Sequence, residues 1–514
     1  MPLCRKWYSV AAKTVFSHQL MSVYKSGSAI RVNMPSTHIQ GNRLHLSYNR
    51  YAKTISMTIN YNCVNDISLE ILERISGSNL VFPNVNRITI MFWDVDVSLT
   101  AEDLNKQFHF RKPVECIRQM VPSATDVKLS IFNPSLNAPQ NMQALVSGLA
   151  SGLSKGAKKL HIDWHGISSP ASLDLHCFVG LNYMQYNSTF HHKQFAQIIR
   201  QNALTLGELI IDLGAHFDVG QLAVDNYGHH VVYLNLHRLE IHIRENPASD
   251  AHSVPIDAIP FPSLRLLKTS TETLLGSDFL FRGNSKSLEH IDIPLDKSIT
   301  STIVNSALFG NDKASRLSHL TFEASSKSIR EGHPLGMALI PFIVYMAPEV
   351  RVLHLGRIIC SGELITSISV ASCFGSLQIL KLTAVLLELC DLIKLIRLLP
   401  RLSDLTTNAP WSTAVSQYGG FTGYLDYIHL LHYPLSNNFL CWHYQDDEAQ
   451  ASGIEIARCA VTLAVACPNF NYADVRYGSR ESYKAQLEGF LGRDEFGPYA
   501  HQIKRLLSKS CLYI

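Results

Sequence analysis

The chain has 514 residues, with 45 Lys+Arg against 42 Asp+Glu and a formal charge of +3, a balance that offers no basic stripe to a nucleic-acid backbone. Apolar residues at 46% and charged residues at 17% exclude a disordered chain and provide for a large core. Length alone predicts about two to four domains, unless the chain is an array that grows by stacking one unit on the next.

In chain order, the first predicted element is a short amphipathic helix over residues 3–18, with Cys4, Trp7, Ala11 and Val15 spaced three to four apart. Residues 28–33 and 54–60 read as strands that begin a sheet. From Val85 onward a segment recurs in which apolar residues fall at i, i+3 and i+5, as in Leu236, Leu239 and Ile241. The other copies start at Val85, Ala124, Ala157, Leu206, Leu264, Leu288, Leu317, Val350, Leu377, Leu402 and Phe470. From Leu206 to Leu402 the mean interval is about 28 residues, within the range of leucine-rich repeats. Several copies carry a proline two residues before the first apolar position (Pro83, Pro122, Pro262, Pro348, Pro400, Pro468), which ends the preceding segment and sets the turn into the strand.

Regularity breaks in places. The span from Ala157 to Leu206 predicts one repeat plus a loop-like insertion over 166–192, and the long span from Leu402 to Phe470 predicts a degenerate repeat near 435–442. Helices are expected over 386–399 and 456–467, where apolar residues recur at helical spacing, and a helix around 499–507 is expected to cap the core.

The positions between the apolar ones, i+2, i+4 and i+6, are mostly polar, so one face of each strand is expected to be wet. A doubly wound sheet buries both faces and carries unbroken apolar strands; these strands alternate. The expected fold class is therefore α/β, a leucine-rich-repeat-like solenoid (horseshoe) with parallel strands on the concave face and helices on the convex face. Acids and bases are interspersed on the wet face, which suits a protein partner read by paired charges and does not suit a phosphate backbone. The candidate partner-binding residues are Lys128, His161, Glu240, Lys268, Asp292, Thr321, His354 and Lys381. Cross-strand pairs that only keep an exposed sheet soluble are the plainer reading of the same charges.

The string Leu3-Cys4-Arg5-Lys6-Trp7, with Ala11 four residues on, resembles the last helix of an F-box. Together with the repeats, the chain resembles a divergent F-box/leucine-rich-repeat (LRR) protein with a truncated F-box: residues 1–25 a partial F-box-like helix, and 26–514 an irregular solenoid with a C-terminal cap. The resemblance implies that the helix, through Cys4, Arg5 and Trp7, meets the Skp1 adaptor of a cullin ubiquitin ligase while the solenoid holds the ligase substrate. The opening Leu-Pro-x-Glu-type helix of that module has no counterpart here, which implies weakened Skp1 binding.

Eleven cysteines, odd in number and without a CxxC pair, predict reduced thiols and a cytoplasmic or nuclear location. No apolar stretch predicts a leader or a membrane span. Phosphate-loop and HExxH patterns do not occur, and the pairs His191-His192 and His229-His230 lack a further ligand at metal spacing. No catalytic residue, cofactor or metal is expected. The rival readings are a solenoid scaffold with no ligase link and an α/β enzyme whose site is built from loops.

Overall fold

The computed structural model describes residues 18–26, 29–33, 53–60, 81–93, 117–132, 150–165, 175–189, 195–214, 217–225, 227–243, 259–270, 278–280, 286–295, 316–324, 349–356, 375–383, 392–393, 396, 399–407, 420–430, 440–444, 453–467, 470–475 and 480–509. Cys4, Arg5 and Trp7, with all of the helix expected over 3–18 except His18, lie outside the described residues. The chain divides into two compact units, Met1–Leu264 and Arg265–Ile514, a division that the repeat pattern does not announce.

The first unit contains β1 (His18–Ser26), β2 (Ala29–Asn33), β3 (Thr54–Asn60), β4 (Arg87–Trp93), β5 (Asp126–Phe132), β6 (Lys159–His165), β7 (Tyr183–Ser188), β8 (Glu208–Leu213) and β9 (Arg238–Ile243). β2 runs antiparallel to β1, β1 parallel to β3, and from β3 to β9 each strand lies parallel to the next in sequence. The second unit contains β10 (Leu266–Thr269), β11 (His290–Leu295), β12 (His319–Ala324), β13 (Val352–Gly356), β14 (Ile379–Thr383), β15 (Asp404–Thr407), β16 (Leu440–Tyr444) and β17 (Phe470–Val475), all parallel and in chain order. Neighbours in sequence are neighbours in space, one strand per repeat, so each unit is a repeat solenoid.

The pattern i, i+3, i+5 marks the buried face. Leu206, Leu209 and Ile211, or Leu353 with Leu355 and Val350, are buried, and the two threonines that occupy apolar positions, Thr269 and Thr407, are buried with them. Between them Glu208, Ile210 and Asp212 are half-buried, the two-residue alternation of a strand with one covered and one wet face. The turns repeat as regularly as the strands. Asn182 N–H donates to Lys158 O at 2.8 Å, Gly207 to Asn182 at 2.8 Å and His237 to Gly207 at 2.9 Å; in the second unit Glu289, Ser318, Arg351, Gln378 and Ser403 donate in the same way, each to the turn before it. Each such bond satisfies a backbone group that would otherwise be orphaned where the strand begins. Gly156 and Gly180, with φ of 86° and 77°, sit one residue before the first apolar position, a left-handed conformation that costs glycine nothing.

Side chains reinforce one of these turns. The amide of Asn202, 1% exposed, accepts from Leu181 N–H at 2.9 Å and donates to Phe178 O and Ile198 O at 2.9 Å each. Thr205 Oγ1 donates to Leu181 O at 2.8 Å, and Asn235 Nδ2 to Leu204 O at 2.6 Å. Three successive turns are thus tied into a stack.

β7 corrects the sequence reading, which places a loop-like insertion over 166–192. Leu181, Met184 and Tyr186 are buried at i, i+3 and i+5 while Tyr183, Gln185 and Asn187 are half-exposed between them, a full repeat whose tyrosines and amides disguise the alternation. The sheet also begins earlier than expected, because β1 occupies His18–Ser26, most of it inside the 1–25 segment read as a helical module. The strands expected at 28–33 and 54–60, the repeat near 435–442 and the helices at 456–467 and 499–507 all have counterparts. Of the segment 386–399, Leu392, Ile393 and Ile396 are helical and buried.

Helices are few among the described connections of the first unit: α1 (Phe195–Gln201), the single turn α2 (Gly220–Ala223) and helical residues at 117–120 and 150–154. α1 lies on the apolar face, with Phe195 4.2 Å from Tyr186 between ring centroids. In the second unit α3 (Phe421–Leu430), α4 (Gly453–Ala466), α5 (Arg480–Leu491) and α6 (Ala500–Lys509) pack as a bundle around α4. Phe421, Phe490 and Phe496 meet at centroid distances of 4.9 to 5.9 Å, and the Tyr499 hydroxyl donates to Asp426.

Candidate functional site

Because the register does not slip from β3 to β9 or from β10 to β15, each i+4 residue there stands beside the i+4 residue of the next strand. In the first unit this row reads Ser56, Thr89, Lys128, His161, Gln185, Ile210, Glu240. In the second it reads Lys268, Asp292, Thr321, His354, Lys381, Thr406. All eight sequence-predicted binding residues occupy these two rows. What the sequence could not reveal is how many of them already have partners.

The charged residues of the first unit's row, Lys128 and Glu240, are both held in ion pairs. Arg87 Nε donates to Asp126 Oδ2 at 2.8 Å. Lys128 is paired with Asp163, which also accepts from Ser130 Oγ. Arg238 reaches Glu240 Oε1 at 2.6 Å and Glu208 Oε2 at 3.3 Å. His161 and Asp163 are buried on the face that was expected to be wet, since the arms of Arg87 and Lys128 and the Tyr183 ring, 4.7 Å from the imidazole, lie against them. In the middle of β6, at His161 and Asp163, the face is therefore covered. Tyr183 and Gln185 complete this cluster and were missed with β7; the signal was Leu181-x-x-Met184-x-Tyr186, the same spacing as every other copy.

His161 sits where these contacts meet. Its Nδ1 lies 3.0 Å from Gln185 Oε1, which also accepts from the Tyr183 hydroxyl, so this nitrogen carries the proton. Its Nε2 lies 3.1 Å from both Arg87 Nη2 and Asp126 Oδ1. A neutral ring accepts from Arg87 and leaves Asp126 Oδ1 without a donor; a doubly protonated ring donates to that oxygen. Burial pushes the Asp126 carboxyl up, but the hydrogen bonds and charges of His161 and Arg87 outweigh it and hold the group below its ordinary value. With the folded-state value depressed, the stability Asp126 contributes is complete above the unfolded value of about 3.9 and disappears as pH falls through the folded one. The urea midpoints of the wild type and Asp126→Asn are therefore expected to differ at neutral pH and to converge below about pH 4. Curves that stay parallel into acid would show that the carboxylate gains nothing from its neighbours.

The second unit is more open. Lys268 and Asp292 are 3.4 Å apart, and the rings of His290 and His319 stack at 5.4 Å. Thr321 is half-buried and Lys381 exposed. Burial holds the His354 imidazole below its ordinary value; Glu323 and Asp292 pull it up, and Lys381 pushes it down. The folded protein thus favours the neutral ring, and its stability should fall as pH drops below the unfolded value of about 6.5. In His354→Gln that part of the decline, read from urea midpoints between about pH 7 and pH 5, is expected to vanish; an unchanged slope would assign it to other groups.

Among the described residues, no group of three or more His, Cys, Asp or Glu could hold a metal ion, and no helix is long and apolar enough to cross a membrane. His229 instead closes an exposed loop onto Asp225, with Nδ1 to Oδ2 at 3.2 Å. Cys459 and Cys467 are buried thiols outside any disulfide, and Cys177 is a half-buried one. The sequence matches no protein-family model and no curated protein.

Proposed function

We propose that the protein is a non-catalytic recognition solenoid that binds a protein partner along the polar face of its sheet, the concave face of a leucine-rich-repeat-like horseshoe with its helical connections on the convex side. The observation that carries this reading is the row Lys268, Asp292, Thr321, His354, Lys381: alternating charge and hydrogen-bonding groups held at strand spacing, unshielded at Lys381. Polar groups preset on a rigid sheet select a partner by charge complementarity at little entropic cost. The closed ion pairs of the first unit serve the sheet itself, so Lys128, His161 and Glu240 contribute to recognition less than the residues of the second row.

A photo-crosslinking amino acid at Thr321 is expected to trap partner proteins in cells, and Lys268→Glu with Lys381→Glu to abolish those adducts. If the same amino acid at Glu488, exposed on α5, yields the same adducts, the sheet face is not the recognition surface. In its finer form the proposal makes the partner a ubiquitin-ligase substrate, with the N-terminal segment holding Skp1 through Cys4, Arg5 and Trp7. Purified Skp1 should then be retained by the full chain and lost with Trp7→Ala. Failure of that retention leaves a scaffold with no ligase link.

A further inference from the structure

A second surface lies on the first unit, on the turns that lead into the strands and away from the polar face. Two residues before the first apolar position, where other copies carry Pro83, Pro122 or Pro262, four consecutive turns carry Lys155, Val179, Leu204 and Leu234. Val179, Leu204 and Leu234 are 61%, 69% and 55% exposed. Single exposed aliphatics are ordinary, but three at one position of successive turns make a contiguous ridge. The ridge is rigid, since the bonds from Thr205 Oγ1 to Leu181 O, from Leu181 N–H to Asn202 Oδ1 and from Asn235 Nδ2 to Leu204 O fasten each turn to its neighbour.

The charge carried by the turns themselves has one sign. The turns 81–86, 121–125, 154–158, 178–182, 202–207 and 232–237 contain no carboxylate, and their only charges are Lys155 and Lys158. The Lys158 ammonium reaches the turn of Val179, close enough that a Cβ on Gly180 would lie 3.9 Å from it. Arg118 joins them by donating to Lys155 O at 3.3 Å. Among the described residues, no acid pairs with Arg118, Lys155 or Lys158.

We propose that this edge is a docking site for an acidic amphipathic helix of a partner protein. Turns stacked at strand spacing, about 4.8 Å apart, match the roughly 5 to 6 Å between residues i, i+4 and i+7 on one face of a helix. Three apolar side chains of such a helix lie along Val179, Leu204 and Leu234, and carboxylates beyond them meet Lys155, Lys158 and Arg118. The site is separate from the polar sheet face, and neither depends on the other.

A random-peptide phage library panned on the full-length protein tests this. The expected result is an enriched family with apolar residues at helical spacing adjoining Asp or Glu. Its members, as synthetic peptides, should lose roughly tenfold or more in affinity with Leu204→Glu/Leu234→Glu and with Lys155→Glu/Lys158→Glu, and nothing with Lys381→Glu. The replaced side chains are exposed, and Leu204→Ser/Leu234→Ser gives the same reading should the glutamates disturb the turns. Failure of any family to enrich, a family without acids, or binding that survives the edge substitutions overturns the proposal. So does self-association of the wild type that Leu204→Glu/Leu234→Glu abolishes, which would make a second copy the occupant.

Discussion

Asn202→Ala is expected to destabilise the protein by about 2 to 4 kcal/mol, read from urea denaturation followed by circular dichroism. The substitution removes little apolar surface, so the loss comes from orphaned backbone. Leu181 N–H loses its acceptor, and the carbonyls of Phe178 and Ile198 lose the two amide protons aimed at them. The site is 1% exposed, and water cannot replace the amide without opening the turn. An unmade bond to a buried group costs more than a made one contributes. Asn202→Asp keeps the acceptor for Leu181 but removes both donors and buries a charge, so it should be no better than alanine. Thr205→Ala, which breaks a bond at a more exposed site in the same turn, should cost about 1 kcal/mol or less. If Asn202→Ala costs no more than Thr205→Ala, the amide is not what holds the stack.

Trp164→Ala should cost about 3 to 5 kcal/mol. The ring is 1% exposed near the end of β6, on the apolar face, and is among the largest fully buried side chains of the described residues. Its removal opens a cavity under strands paired on both sides, which cannot collapse to fill it. Trp164→Phe is the informative companion. The indole Nε1 is buried with no hydrogen-bond partner, so phenylalanine gives up part of the volume and also removes an unsatisfied donor. The two effects oppose, and the net cost should be about 1 kcal/mol or less. If phenylalanine is as damaging as alanine, the indole N–H is satisfied in solution by a bound water.

Much of the strand layout was legible before any coordinates, and for a definite reason. A strand exposes alternate side chains to alternate environments, and a parallel stack repeats that environment once per unit, so burial is written into the chain with a period of two inside a period near 28. That is why Leu239, Leu320 and Leu380 were identifiable as core, and Glu240, Thr321 and Lys381 as face, one residue apart in each case. β7 escaped because Tyr183, Gln185 and Tyr186 blur a pattern judged by aliphatic content, although burial still alternates there.

The face itself divides along the same line. By itself the sequence determined which side chains share the polar side of the sheet, because that depends only on parity along each strand. Which of them stay exposed was decided by the tertiary structure alone. Lys128 with Asp163, Arg238 with Glu208, and His161 between Arg87 and Asp126 are contacts set by register between strands tens of residues apart. A charge pair a few ångströms long cannot be read from a separation along the chain, and a hydrogen bond such as that of Asn202 exists only where two turns are stacked. Local periodicity is a one-dimensional property and survives in sequence; pairing is a three-dimensional one and does not.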